Sequence, residues 1–238
     1  MQKGLAVCSV TAERKWWTSP KKKWSKVEER VKILSFTMTH RLDPRVVNAL
    51  ASQKGVEYFD SHFTNDNPHL GEHWGQYKNM MLNWHKMERI AQGYDKVWLV
   101  EDDTIVPEDA LAKLLEVDAP VVSGLFAHRH APYDPSIDKE FRTPFSWDEL
   151  RRLQGQTITV KGTAVGCTLL DRSLLDRYKI DMERYRNIEG QRYQDVIIDL
   201  AMVQFCLREG IEMKARLDVQ CGHVKADGKA IWPQDFMN

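Results

Sequence analysis

Apolar residues come along this chain in short blocks separated by amphipathic stretches, a rhythm that predicts alternating strands and helices. VKILSFTM (31–38) is a nearly continuous apolar run leading into Thr39, His40 and Arg41, and reads as a buried strand. LDPRVVNALASQ then reads as a helix with Pro44 in its first turn, where the missing N–H has no partner to lose. VEYFDS (56–61) predicts a second strand, and residues 62–75, with Asn65, Asn67, Pro68, Gly71 and Gly75, a loop. In WGQYKNMMLNWHKMERIAQGY the positions Tyr77, Met80, Met81, Trp84, Met87 and Ile90 fall at helical spacing, with Gly93 as the stop. KVWLV (96–100) is the next strand, followed by a helix over 107–116 opened by Pro107 and a strand over Ala119–Phe126. The span 127–157 reads as an excursion over one face. TITVKGTAVGCTLLDRSLLDRY supplies a strand, a glycine-bearing turn, a strand and a short helix. Asp195–Arg208 is an amphipathic helix ended by Gly210, and IEMKARLDVQCGHV a closing strand. The alternation predicts an α/β fold, a mostly parallel central sheet flanked by helices.

Composition narrows this only slightly. With 238 residues, 42% hydrophobic and 29% charged, the chain has the make-up of one ordinary globular domain with a core of its own. No apolar run reaches the roughly 18 residues of a membrane span, and the N-terminus lacks the apolar centre of a secretory signal, so a cytoplasmic protein is expected. The four cysteines, Cys8, Cys167, Cys206 and Cys221, form no CxxC pair that would point to zinc; two disulfides are one reading, and Cys167 and Cys206, in apolar segments, read first as buried thiols. Net charge is zero but uneven: residues 1–30 carry eight Lys or Arg against three Glu. The expected organisation is therefore a basic arm over 1–30 and a single domain over 31–238. Trp16, Trp17 and Trp24 interleave with Lys21, Lys22 and Lys23 in that arm, a composition that can follow a phosphate backbone and stack on bases. The plainer reading is a solvated arm whose tryptophans cap the domain.

The candidate chemistry centres on KVWLVEDDTIV, where a strand ends in Glu101, Asp102 and Asp103. Three carboxylates at the end of a buried strand repel one another unless a cation is present, and hard oxygen ligands suit Mg²⁺ or Mn²⁺. Strand alternation places Glu101 and Asp103 on one side and Asp102 on the other. The competing reading is an acidic strand-to-loop turn.

In order along 31–224, four motifs resemble those of nucleotide-sugar glycosyltransferases of the GT-A fold, in particular the broad family-2 type. ILSFTMT resembles the nucleotide-binding strand, and Tyr77-Lys78-Asn79 the small-Arg-Asn element near the donor. Glu101-Asp102-Asp103 resembles the DxD metal motif, followed by a helix and a PVVSG strand. VKGTAVGCTLLDRSLLD, then Gln194-Asp195, CLREGI and Cys221-Gly222-His223, resembles the acceptor half. Three departures stand out: Glu101 for the first acid of the motif, Lys78 for Arg, and Gln194-Asp195 for the usual Glu-Asp. The resemblance implies a metal-dependent, inverting sugar transfer from a nucleoside-diphosphate sugar, a UDP-sugar first, to an acceptor hydroxyl. Asp103 and His223 would hold the Mn²⁺ or Mg²⁺, with Glu101 toward the ribose or a metal-bound water. Asp102 is kept with the donor-side residues, although it reads first as a turn residue. Asp195 would be the general base; Asp199, one turn on, is the other acid, but its neighbours Ile198 and Leu200 make it look like a surface position. Thr37, Thr39, Arg41, Asp60, Lys78 and Asn79 complete the donor side, each with a cap, turn or solvated-face alternative. His128, Arg129 and Trp147 are candidates for the acceptor. Phe141, Phe145 and Trp147 form either a stacking platform or the excursion's own small core.

Two rivals remain. A nucleotidyltransferase would carry a glycine-rich phosphate loop after the first strand, and TMTHRLDP has none. A non-catalytic binding module on the same scaffold would not need Asp103, Asp195 and His223 together. The basic arm points to one acceptor class, DNA with a hydroxyl-bearing modified base.

Overall fold

The computed structural model describes residues 31–39, 42–56, 59–65, 83–179 and 198–237. At its centre lies a seven-stranded sheet. Its order is β2 (Asp60–Asn65), β1 (Ile33–Thr39), β3 (Lys96–Val100), β10 (Cys167–Asp171), β5 (Val121–Leu125), β11 (Met213–Gln220) and β8 (Thr157–Thr159). β2 and β3 run parallel to β1, and β11 parallel to β5; β10 is antiparallel to both β3 and β5, and β8 to β11. Five of the seven strands therefore share one direction, with β10 inserted against them and β8 on the edge.

Period-two alternation builds a core on each face of this sheet. Leu34, Phe36, Val97, Leu99, Val121, Leu125 and Leu170 pack on one side. They meet Trp84 and Met87 of α2 (83–90), Leu174 and Leu175 of α5 (Ser173–Arg177), and Met202, Val203 and Cys206 of α6 (Ile198–Arg208). Ile33, Trp98, Val100, Val122 and Leu169 face the other way, onto Val46 and Leu50 of α1 (Pro44–Ala51) and Leu111 and Leu114 of α3 (Ala110–Leu115). The result is a helix–sheet–helix sandwich. α1 starts as the sequence suggests: Asp43 caps it by accepting from the Arg45 N–H, and Pro44 occupies the first turn. Among the described residues, no helix is long and apolar enough to cross a membrane.

Two small sheets complete the chain. β4 (Thr104–Ile105), β12 (Gly222–Val224) and β13 (Ala230–Ile231) form one, in the order β13-β12-β4. β7 (Thr143–Pro144), β6 (Ile137–Glu140) and β9 (Gly162–Thr163) form the other. Two of these strands, β6 and β7, lie with α4 (Trp147–Arg152) in the span 127–157, so the excursion carries regular structure of its own. α4 carries a full capping box, Ser146 with Glu149.

Four expectations are corrected. The second strand begins at Asp60 and extends to Asn65, because its ladder with β1 pairs Leu34 with Asp60 and Thr39 with Asn65. The helix after the acidic turn begins at Ala110 rather than Pro107. Pairing of β4 with β12 keeps the chain extended through Ile105, and Pro107 then accepts the Ala110 N–H in a turn. The closing strand divides: β11 ends at Gln220, and after Cys221 the chain leaves the main sheet as β12 to pair with β4 and β13. Last, the chain continues past that strand into β13 and α7 (Gln234–Met237).

Candidate functional site

β3 delivers the acidic residues to the carboxyl end of the parallel strands, where open α/β sheets gather ligands. The strand stops at Val100, and the Thr104 N–H closes a turn on the Glu101 carbonyl at 3.1 Å. Glu101 and Asp103 thus converge through a turn and not through strand alternation. Three backbone bonds pin that turn. The Glu101 N–H donates to the Gly166 carbonyl (3.1 Å), the Asp43 N–H to the Asp102 carbonyl (3.0 Å), and the Val224 N–H to the Asp103 carbonyl (2.8 Å). Asp102 is therefore held through its backbone by the cap of α1, beside the clamp in which Arg45 grips both Asp43 oxygens and the Gly228 carbonyl.

The pairing of His223 with Thr104 across β12 and β4 is what sets the imidazole next to Asp103. His223 Nδ1 lies 2.8 Å from the Ala127 carbonyl, which can only accept, so Nδ1 carries the proton. In the neutral ring Nε2 then offers its lone pair toward Asp103, 3.4 Å from Oδ1. Glu101, Asp103 and His223 each present one ligand atom, all within 4.8 Å of one another. Two carboxylates and an imidazole with its second nitrogen fixed by a carbonyl fit a divalent cation. Neighbouring ligands of an octahedral ion bound at about 2.1 Å stand about 3 Å apart.

The electrostatics agree with that fit. Glu101 keeps some open surface, yet its carboxyl group is ringed by protein, and burial pushes its pKa well above the usual range. Asp103, Asp199 and Asp102 push it further in the same direction, and Arg129 pulls it back. Burial also raises Asp199 on α6. Asp199 is thus half-buried rather than a fully solvated surface position. At helical spacing, Asp199 shares a face with the buried Met202, Val203 and Cys206, and so looks inward at Glu101.

Phe126 packs edge-on against His223, ring centroids 5.3 Å apart. Gly166 makes room for both Phe126 and the acid: a Cβ there would meet Phe126 Cζ at 2.7 Å and Glu101 Oε2 at 3.0 Å. Neither residue stands out in the sequence, although a glycine inside the turn of TAVGCT hints at a close approach. Arg129 donates from Nη1 to Asp103 Oδ2 at 2.6 Å. His128 is exposed beside it; crowding by the surrounding protein lowers its pKa, and His223 adds to the shift.

The other sequence candidates divide. Thr37 is only 1% exposed, near the carboxyl end of β1. Asp60 opens β2 instead of ending it. It accepts from the Tyr94 hydroxyl and lies level with Val97, four residues and thus roughly 13 Å of strand below Glu101. Trp147 stacks on Phe236 (5.0 Å between centroids) and donates its indole N–H to the Tyr133 carbonyl (3.1 Å), packing α7 against the 127–135 loop. Phe145 packs against the main core and Phe141 is exposed, so these aromatics do not share one platform. Thr39 closes β1, and nothing is described of its side chain. Arg41, Lys78, Asn79, Asp195 and the arm over 1–30 lie outside the described residues.

No protein family and no curated protein matches this chain in sequence. Solved structures do. A197 from STIV aligns at a TM-score of 0.53 and 12% identity, over 84% of this chain and 93% of that one. GalNAc-T7, solved with UDP, GalNAc and Mn²⁺, aligns at a TM-score of 0.51 and 10% identity, over 82% of this chain and 44% of that one. At such identities the likeness is one of fold: a GT-A-like α/β sandwich.

Proposed function

We propose that this chain is a metal-dependent glycosyltransferase that moves a sugar from a nucleoside-diphosphate sugar, a UDP-sugar first, to an acceptor hydroxyl. The observation that carries the reading is the convergence of Glu101, Asp103 and His223 at the carboxyl end of β3, in a fold similar to that of a protein solved with UDP and Mn²⁺. Asp103 and His223 are the proposed ligands of Mn²⁺ or Mg²⁺, with Glu101 beside them. The ion, when bound, supplies Lewis-acid charge for the departing diphosphate.

The chain's own groups do the rest. The Ala127 carbonyl fixes the His223 tautomer, and the turn from Glu101 to Thr104 holds the two acids at one spacing. Thr39, Arg41, Lys78 and Asn79 are proposed to bind nucleotide and diphosphate. In the transfer, the bond between the anomeric carbon and the diphosphate oxygen breaks and its electron pair leaves with the diphosphate. The acceptor oxygen forms the new bond on the opposite face, giving inversion, and its proton passes to a carboxylate. Asp195 is the proposed base. Asp199 is the second candidate, favoured by its place facing Glu101 and by a raised pKa, which makes a carboxylate a better proton acceptor.

A Mn²⁺-dependent release of UDP from a panel of UDP-sugars tests the reading. Asp195→Asn or Asp199→Asn should abolish turnover while donor binding persists, and whichever does so identifies the base. Binding without turnover on any donor or acceptor would instead make the chain a binding module. The modified-base DNA acceptor has its own test: removing residues 1–30 should abolish transfer to DNA and spare donor hydrolysis.

A further inference from the structure

We infer that Arg129 is a built-in counter-ion of the metal site: its guanidinium occupies Asp103 until a divalent cation displaces it. The inference rests on the proposed metal site and adds a regulatory element to it. Arg129 Nη1 sits 2.6 Å from Asp103 Oδ2, while His223 Nε2 faces the other oxygen, Oδ1, at 3.4 Å. One oxygen of this carboxylate is thus taken by the guanidinium, and a cation gathering Asp103 and His223, with Glu101 beside them, must compete with it for charge.

The scaffold fixes the backbone that carries Arg129. Ala127 and Pro135 bridge across the loop, the His128 N–H donates to the Asp134 carbonyl (2.8 Å), and the Tyr133 N–H donates to the His130 carbonyl (2.8 Å). Ser136 closes the base, its N–H on the Phe126 carbonyl and its Oγ accepting from the Phe126 N–H. Tyr133 is held at φ 62°, a conformation uncommon for a non-glycine residue, with Trp147 donating to its carbonyl. The ordered loop therefore starts Arg129 from a fixed backbone position, from which its guanidinium reaches Asp103. The functional need is plain from the charge count. Glu101, Asp102 and Asp103 are three adjacent carboxylates, and Arg129 is the cation the structure places on Asp103. At 49% exposure the Arg129 side chain has open solvent to move into when a cation takes its place.

Mn²⁺ titration of the full chain by calorimetry, without nucleotide, tests the competition in wild type, Arg129→Gln, Arg129→Lys and Asp103→Asn. Removing the competitor should tighten Mn²⁺ binding about fivefold, near the top of what an exposed ion pair contributes. Arg129→Lys, which keeps a cation, should stay near wild type. Thermal melts supply a second readout. Metal-free Arg129→Gln should melt below wild type, and saturating Mn²⁺ should close the gap, because the ion then replaces the guanidinium in both proteins. Unchanged or weaker Mn²⁺ binding in Arg129→Gln, or a melting gap that Mn²⁺ leaves open, overturns the counter-ion role alone. Wild-type binding that survives Asp103→Asn, or no binding in any variant, overturns the metal site and the counter-ion with it.

Discussion

Gly222→Ala is the sharpest test of how the site is carried. Gly222 precedes His223 on β12, and a Cβ there would meet Trp232 Cζ2 at 2.6 Å, Cε2 at 2.7 Å and Cη2 at 2.9 Å. Ordinary carbon contacts lie near 3.5–4.0 Å, so about 1 Å of overlap must be relieved. The Trp232 main chain is anchored, because its backbone N–H donates to Asp235 Oδ2 at 2.8 Å at the start of α7. β12 is tied as well, through its pairing with β4 and β13. Overpacking of this kind costs about 1–3 kcal/mol. For a chain of this size that lowers Tm by roughly 2–12 °C, at about 2–4 °C per kcal/mol. If the strand gives way rather than the ring, His223 shifts away from Asp103 and Mn²⁺ binding weakens in parallel. Urea unfolding of wild type, Gly222→Ala, Trp232→Leu and the double variant measures the effect. The second substitution removes the obstructing ring, so Gly222→Ala should cost at least about 0.5 kcal/mol less in the Trp232→Leu background. An equal cost in both backgrounds would refute the argument that Trp232 is what demands glycine at 222.

Two further outcomes follow from the ionisable groups. Lys139, together with the Ser146 N–H and hydroxyl, holds the Glu149 carboxyl down at about 2, below its ordinary 4.5. A depressed carboxylate contributes stability above its unfolded pKa and loses it as pH falls through the folded value. The Tm difference between wild type and Glu149→Gln should therefore hold from pH 7 to about pH 5 and shrink as pH falls from 4.5 toward 2; a gap that widens on acidification would contradict the capping role. Cys167, Cys206 and Cys221 are buried, and burial pushes the Cys206 thiol up to about 11. These three thiols should react slowly with a disulfide reagent in the native protein and quickly after unfolding. Rapid native reaction of any of the three would show that the core face holding it opens easily.

The strands of the sheet's centre were legible because β1, β3 and β5 are buried on both faces and leave continuous apolar runs. The acidic turn was legible too, since three adjacent carboxylates after such a run have few structural uses. What brings them to His223 was not. The sequence reads IEMKARLDVQCGHV as one strand, whereas the break after Gln220 depends on long-range pairing of β12 with Thr104 and Ile105, which no local pattern encodes. The second strand was displaced for a similar reason: aromatic Tyr58 and Phe59 have strand propensity, but the ladder with β1 selects the polar run from Asp60. Asp199 was misjudged by looking at its immediate neighbours. Its partners at three, four and seven residues, Met202, Val203 and Cys206, are apolar and placed it on the inward face all along. Arg129 had no such signal, since its meeting with Asp103 spans 26 residues and is created by a folded loop.

The central claim is that Asp103 and His223, with Glu101 beside them, hold a divalent ion that is needed for nucleotide-diphosphate binding. Thermal unfolding of wild type, Asp103→Ala and His223→Ala with UDP, with and without Mn²⁺, tests it most directly. A ligand at a hundred times its Kd stabilises the native state by about 2.7 kcal/mol, roughly 5–11 °C for a chain of this size. The account predicts such a shift in wild type only when UDP and Mn²⁺ are both present, and its loss in each variant. A UDP shift that needs no metal, or one that survives Asp103→Ala, would contradict it.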